Sequence, residues 1–346
     1  MKRLLILIAA LTFTVGLSAP YASAHTQPAA AQDDAAKKEA EAAYRSWYEA
    51  YTGKDYAKAI QLAKDYLAKF PSGERASYFQ TWLASPFVLR IEFKNAATAN
   101  NKEEALRIGK LIIASKDVKD EERLQYLLFL NNELIKELSA NPPNYAHAAD
   151  ISDFSQQIIT LVEADKIPTG TEPGKWNKNS VLAYYNGVLG LIEQHNKNTD
   201  KALEYYAKAA AANPAEPDYA YRCGLLHQDK YIAAQAKFEA FPEADRQAVA
   251  ANKPEAKPEV KAALDEVNKE VDAIIECWAR YIGITQGKPD PNGARAKIEE
   301  ALKGFYQYRH NNTLDGYQQL IDKYKSGSAA PSSSQPAGTP KPPEKQ

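Results

Sequence analysis

The chain has 346 residues, with 43 Lys and Arg against 44 Asp and Glu, 45% hydrophobic and 25% charged residues, 20 Pro and 2 Cys. This is the composition of a foldable chain and excludes a collagen-like or wholly disordered one. A net charge of −1 with no basic block argues against nucleic acid and against an electrostatic membrane anchor, and two cysteines cannot make a small disulfide scaffold.

Residues 1–24 have a basic start at Lys2-Arg3, an apolar run from Leu4 to Leu17 and a small-x-small end at Ala22-Ser23-Ala24. That tripartite pattern predicts a secretory signal cleaved after Ala24. The other reading, an uncleaved anchor, is weakened because the run falls short of the ~20 residues a bilayer needs. Cleavage removes two cations and no anion, taking the charge from −1 to −3. No cysteine adjoins the cleavage site, so no lipid is expected there. The expected product is periplasmic or secreted, with no stable membrane insertion. Residues 25–41 are small, polar and without apolar periodicity, and 326–346 are rich in Pro and Ser. Neither has enough apolar surface to offset the entropy of ordering, so both are expected to be flexible, the second as a spacer or a ligand.

From residue 42 to 325 the apolar positions recur at three and four, separated by Pro, Gly and Asn-rich joints, which predicts an all-α domain of roughly thirteen helices in antiparallel pairs. One stretch is ambiguous: Leu89, Ile91 and Phe93 alternate with Arg90 and Glu92 as in a strand, yet Ser85-Pro86 fits a helix start. Asp55, Asn101, Asp120, Asp200 and Thr313 stand where a side-chain oxygen can cap a first turn. Pro71, Pro142, Pro214 and Pro242 stand where helical runs stop. The acidic groups at Glu103-Glu104 and at Asp120-Glu121-Glu122 suit the positive end of a helix dipole better than catalysis. Two long joints, Lys166 to Asn179 and Pro242 to Pro258, are expected to be exposed insertions or hinges.

A short phrase returns at Lys58-Ala59-Ile60, Glu104-Ala105-Leu106, Lys201-Ala202-Leu203 and Glu300-Ala301-Leu302, each placed early in the second helix of a pair. The unit from Ala183 to Pro214 carries Leu189-Gly190, Ala202, Tyr206, Ala209 and Asn213-Pro214. It resembles the tetratricopeptide repeat, with Glu193 where that family usually has Tyr. The unit from Ala43 to Pro71 is similar, with Trp47, Tyr51, Gly53, Tyr56, Ala59 and Tyr66. A third, from Pro217 to Pro242, places Gly224 in a first helix and Ala236 and Phe238 in a second, with a short turn around Gln228-Asp229. The phrase recurs at 59, 105, 202 and 301, closer to 46 to 49 residues per step than to 34, so the resemblance implies an irregular right-handed α-solenoid of helix pairs, with the helix Leu314 to Tyr324 as a polar-faced cap.

Chemical motifs are few. The histidines are His25, His147, His195, His227 and His310, and no two have the i, i+4 spacing or the adjoining cysteines that a metal site would require. His147 lies one turn from Asp150, which reads as a surface pair. There is no nucleophile elbow, phosphate-cradling loop or haem motif. No cofactor, metal or enzymatic activity is expected; a dispersed active site would have to draw on Glu193, His195 and His227. Cys223 and Cys277 can form a disulfide in an oxidising compartment, or pack as two buried thiols. Of the 21 tyrosines, Tyr184, Tyr185, Tyr205, Tyr219 and Tyr221 are the candidates for rigid anchors on a concave face. The expected function is that of a scaffold binding other envelope or secreted proteins. The alternatives are an envelope glycan or small-ligand binder and an enzyme with a dispersed site.

Overall fold

The computed structural model describes residues 29–290 and 293–325, with side chains from residue 34. The expected signal segment and the Pro/Ser-rich tail lie outside the described residues. The described chain is all-helical: α1 (Ala29–Thr52), α2 (Tyr56–Lys69), α3 (Ala76–Leu83), α4 (Pro86–Thr98), α5 (Lys102–Ala114), α6 (Asp120–Leu138), α7 (Ala148–Glu163), α8 (Lys178–His195), α9 (Thr199–Ala212), α10 (Pro217–Glu239), α11 (Glu243–Ala250), α12 (Pro258–Thr285), α13 (Ala294–Arg309) and α14 (Tyr317–Asp322). No strand occurs among the described residues, and none of these helices is long and apolar enough to cross a membrane. The ambiguous 87–93 stretch lies in α4. Ser85 Oγ accepts from the Val88 N–H at 3.4 Å and Pro86 takes the first helical position.

Several local expectations are corrected. Of the expected linker 25–41, residues 29–41 are helical in α1, because Ala, Lys, Glu and Gln favour helix. The unit Pro217–Pro242 is one 23-residue helix, not a pair: Gln228-Asp229 contains nothing that breaks the hydrogen-bond ladder. The Pro242–Pro258 joint holds α11, and the Lys166–Asn179 joint holds a 3-10 turn at Pro173–Lys175. The last helix is shorter than expected, and it buries Tyr317 and Ile321 rather than presenting only a polar face. Asp55 and Asn101 cap α2 and α5, accepting from Lys58 N and Glu104 N, both at 3.2 Å. Asp120 and Asp200 fall inside the first turns of α6 and α9, and Thr313 precedes α14 by a turn.

One turn is used three times. Lys54, Asn100 and Lys197 take left-handed backbone (φ 62, 54 and 62°), and the next residue returns its N–H to a carbonyl five back: Asp55 to Ala50, Asn101 to Ala96, Asn198 to Glu193, each at 2.9 Å. This is a helix C-terminal closure running directly into the next helix's N-cap. Four residues beyond each cap lie Ala59, Ala105 and Ala202, at most 5% exposed. The repeated phrase thus marks the first buried contact after a reversal. Ala301 does not fit, since it stands eight residues into α13.

The described residues divide into two compact units, with the boundary between Ile91 and Glu92. In the first, α1 packs on α2 and α2 on α3 around Trp47, Ala59, Ala63, Tyr66 and Phe79. In the second, neighbours in sequence pack from α5 to α10, and then α12 packs on α10, α13 and α14. Buried Asn131 on α6 donates to Ser155 Oγ on α7 at 2.9 Å, fixing those helices' register. At Gly190 an added Cβ would stand 2.6 Å from the Tyr206 ring, so the glycine of the Leu-Gly pair is what lets α8 and α9 approach.

Gly224 plays the same part for α10 and α12, where an added Cβ would overlap the buried Trp278 indole. Gly224→Ala is expected to destabilise the protein by about 1–3 kcal/mol through overpacking. Because Cys223 and Cys277 flank this contact, the variant should also titrate with free thiols. Denaturant unfolding and a thiol count check both, and unchanged values would mean that the two helices are not this close.

Candidate functional site

The N-terminal unit carries a connected set of rings. Helical spacing puts Tyr44, Trp47, Tyr48 and Tyr51 along one side of α1. Trp47, 1% exposed, is the hub: it stacks on Tyr44 and Tyr51 at centroid separations of 5.6 and 5.2 Å. Tyr78, Phe79 and Trp82 of α3 meet it edge-on at 5.5, 5.1 and 5.3 Å. From Tyr51 the contacts run on to Tyr56 and Phe87, at 6.0 and 5.0 Å. Edge-to-face and offset contacts are the geometries that the ring quadrupole favours. The Arg75 guanidinium lies 3.8 Å above the Tyr44 ring and adds a cation–π contact.

The outer rings of this set are open to solvent: Tyr48 is 52% exposed, Tyr78 49%, Phe87 41% and Tyr51 37%. Half of the large exposed hydrophobic side chains among the described residues therefore gather on one small unit. Tyr51 and Tyr78 are held against buried Trp47, so a ligand meeting those two rings costs little side-chain entropy on their account. Burial, with Tyr44 and Tyr51 nearby, raises the Tyr78 pKa above the ordinary tyrosine value and keeps the hydroxyl neutral.

The tyrosines favoured by the sequence occupy the other unit and are largely packing. Tyr185 is 1% exposed, with its hydroxyl donating to Asn132 Oδ1 at 2.9 Å; it offers no surface to a partner, which corrects that expectation. Tyr219 donates to the Ala183 carbonyl at 3.0 Å and its ring lies against Gly187. Tyr184 packs edge-on against Tyr185, and Tyr221 lies against Tyr281. Tyr205 is partly exposed beneath Lys208. Burial raises the pKa of Tyr184, Tyr185 and Tyr219, and pushes that of Tyr206 to about 12.

The residues considered for a dispersed active site find separate partners. Glu193 accepts from Asn198 Nδ2 at 2.6 Å, His195 stacks on Tyr145 at 3.5 Å, and His227 pairs with Glu270. His147 lies 3.8 Å from Asp150, whose other oxygen is 2.7 Å from Lys110 Nζ. A cavity of about 210 Å³ is lined by Asn101, Leu106, Phe129, Glu133, Leu134 and His147. A shallower groove of about 480 Å³ is lined by Ile113 of α5, Arg123 of α6, and Asp153, Gln157 and Leu161 of α7. The first is smaller than the ~300 Å³ usual for sites that enclose a drug-sized ligand, and the second has no ring for a sugar or an apolar side chain to stack on.

Between α10 and α12 the structure settles the cysteines: Cys223 and Cys277 are joined by a disulfide, with Cα atoms 5.9 Å apart. His227 lies one helical turn from Cys223, and its ligand atom and the two sulfurs all lie within 4.8 Å of one another. His227 Nδ1 is 2.6 Å from Oε2 of Glu270, which is 3% exposed, and Lys230 Nζ is 3.5 Å from the same carboxylate's Oε1. The i, i+4 spacing of Cys223 and His227 is plain in the sequence. The spacing between histidines alone does not show it. Glu270 and Cys277 could not be attached to it without the fold, because they come from a helix 43 and more residues away. Among known proteins, no family model and no curated sequence matches this chain.

Proposed function

We propose that this chain is an irregular, right-handed α-solenoid of tetratricopeptide-like architecture that acts in the cell envelope by binding segments of other proteins, without catalysis. The observation carrying this reading is the set of exposed rings on the N-terminal unit, where Tyr51 and Tyr78 pack on the buried Trp47 and Tyr48 and Phe87 extend the set through Tyr44 and Tyr56. Contiguous exposed rings of this kind mark interaction sites more often than they occur idly. Large, rigid rings are also the side chains that dominate binding energy. The thrice-used turn, with its buried alanine four residues on, supports the repeat architecture. Ring faces bordered by hydroxyls would also suit a sugar, so envelope glycan is the rival ligand.

The test replaces Tyr48, Tyr51 and Tyr78 together by alanine and compares crosslinked partners captured from intact cells. Loss of two or three anchor rings should lower capture at least about tenfold. Because Tyr51 and Tyr78 also touch Trp47, the triple variant should lose about 1–3 kcal/mol yet remain helical, which thermal unfolding followed by circular dichroism checks before capture is compared. Equal capture by the variant overturns the assignment of this surface. A saturable tryptophan fluorescence change with oligosaccharide, alongside empty protein capture, overturns the choice of ligand.

A further inference from the structure

We propose that the dithiol form of Cys223 and Cys277, with His227, is a zinc site, so that the α10–α12 contact can be closed either by a disulfide or by a metal ion. Cys223 and His227 lie on one face of α10, one turn apart, and Cys277 faces them from α12. In a tetrahedral zinc site with Zn–S of about 2.3 Å and Zn–N of about 2.0 Å, donors stand roughly 3.5–3.8 Å apart. Here the three donors already lie within 4.8 Å of one another. Once the sulfurs are no longer bonded, they need only move apart while the imidazole closes in. Two thiolates and an imidazole form a donor set that suits zinc better than the oxygen-seeking magnesium or calcium.

The surroundings favour this role over a chance cluster. An ionised Glu270 accepts from Nδ1–H of a neutral His227 imidazole, an arrangement that leaves the lone pair for a metal on Nε2. That is the ligating tautomer, and a carboxylate behind a metal-binding histidine is the usual means of fixing it. The Gly224–Trp278 contact fixes the spacing of the helices on which all four residues sit. Charge is also conserved: a disulfide is neutral, and two thiolates with Zn2+ are neutral too. Three protein ligands leave the fourth position to water.

The step balances with an external reductant. A dithiol attacks the Sγ–Sγ bond, leaves as its own cyclic disulfide, and gives its two protons to the Cys223 and Cys277 sulfurs. Zinc then displaces those two protons to solvent. In the laboratory a trialkylphosphine can replace the dithiol, taking the oxygen of one water to become the phosphine oxide while the thiols take its two hydrogens.

The test uses the purified protein, oxidised or phosphine-reduced without oxygen, equilibrated with Zn2+ or Co2+ and freed of excess metal. Reduced protein should retain one zinc per chain by elemental mass spectrometry, and oxidised protein essentially none. Cobalt should give thiolate-to-metal charge-transfer absorption, and zinc should slow alkylation of both cysteines. Glu270→Gln should weaken zinc binding by about 10–100-fold, with the thiol count unchanged. Failure of reduced wild-type protein to retain metal, or alkylation unaffected by zinc, overturns the proposal without recourse to any variant. So does zinc binding of undiminished affinity in a folded His227→Ala protein, which would make the imidazole a bystander.

Discussion

Replacing Trp47 by alanine is expected to destabilise the N-terminal unit by about 3–5 kcal/mol, the usual cost of emptying a tryptophan-sized site in a core. Trp47 is 1% exposed and touches five other rings, so the surroundings cannot close over the gap without moving Tyr51, Tyr78 and Trp82. The same substitution should therefore disorder the exposed rings. Trp47→Phe should cost much less: it keeps a ring at the hub and removes an indole Nε1–H that is buried with no partner among the described residues. Denaturant unfolding of both variants checks the pair. A cost below about 1 kcal/mol for the alanine would mean that the hub is not packed as described.

Breaking the Cys223–Cys277 bond by Cys277→Ser is expected to remove about 4 kcal/mol, because the bond closes a loop of 54 residues in the unfolded chain. The effect is one of chain entropy, so Cys223→Ser and the double serine variant should lose about the same amount, and phosphine-reduced wild type without metal should match them. Thermal unfolding of the four forms makes the comparison. Equal stability of oxidised and reduced wild type would show that the bond contributes nothing, either because it does not form or because the unfolded chain is already constrained there. On the zinc proposal, adding Zn2+ to reduced wild type recovers part of the lost stability by mass action, and adding it to the serine variants does not.

The parts of the fold that depend on near neighbours were legible in advance. Asp55 and Asn101 cap helices because an Asx oxygen reaches an N–H three residues on, whatever the rest of the molecule does. Pro71 and Pro214 directly follow the C-caps of α2 and α9 and stop them for an equally local reason, whereas α6 and α10 end before Pro142 and Pro242, the latter being the N-cap of α11. Where two local signals compete, only packing decides between them. The alternation at 87–93 permits a strand, but Val88, Leu89 and Phe93 are all buried in α4, on a face that a strand would have split. At Gln228-Asp229 the repeat pattern suggested a turn, yet α10 continues because the long α12 gives its whole length something to pack on.

Function is less legible for the same reason. The sequence places aromatics on helix faces, but it cannot say which faces are covered. Tyr185 and Tyr51 both belong to tyrosine-rich helices, and one is enclosed by its neighbours while the other is 37% exposed.

The sequence by itself determined that the chain is helical, where most helices begin and end, and that small residues recur where helices meet, because each follows from interactions within a few residues. Only the tertiary structure decided which aromatic rings remain open, that α12 rather than α11 packs along α10, and that His227, Glu270 and the two cysteines converge. Those depend on burial and on contacts across 40 residues or more, where the alternatives differ in packing and not in local propensity.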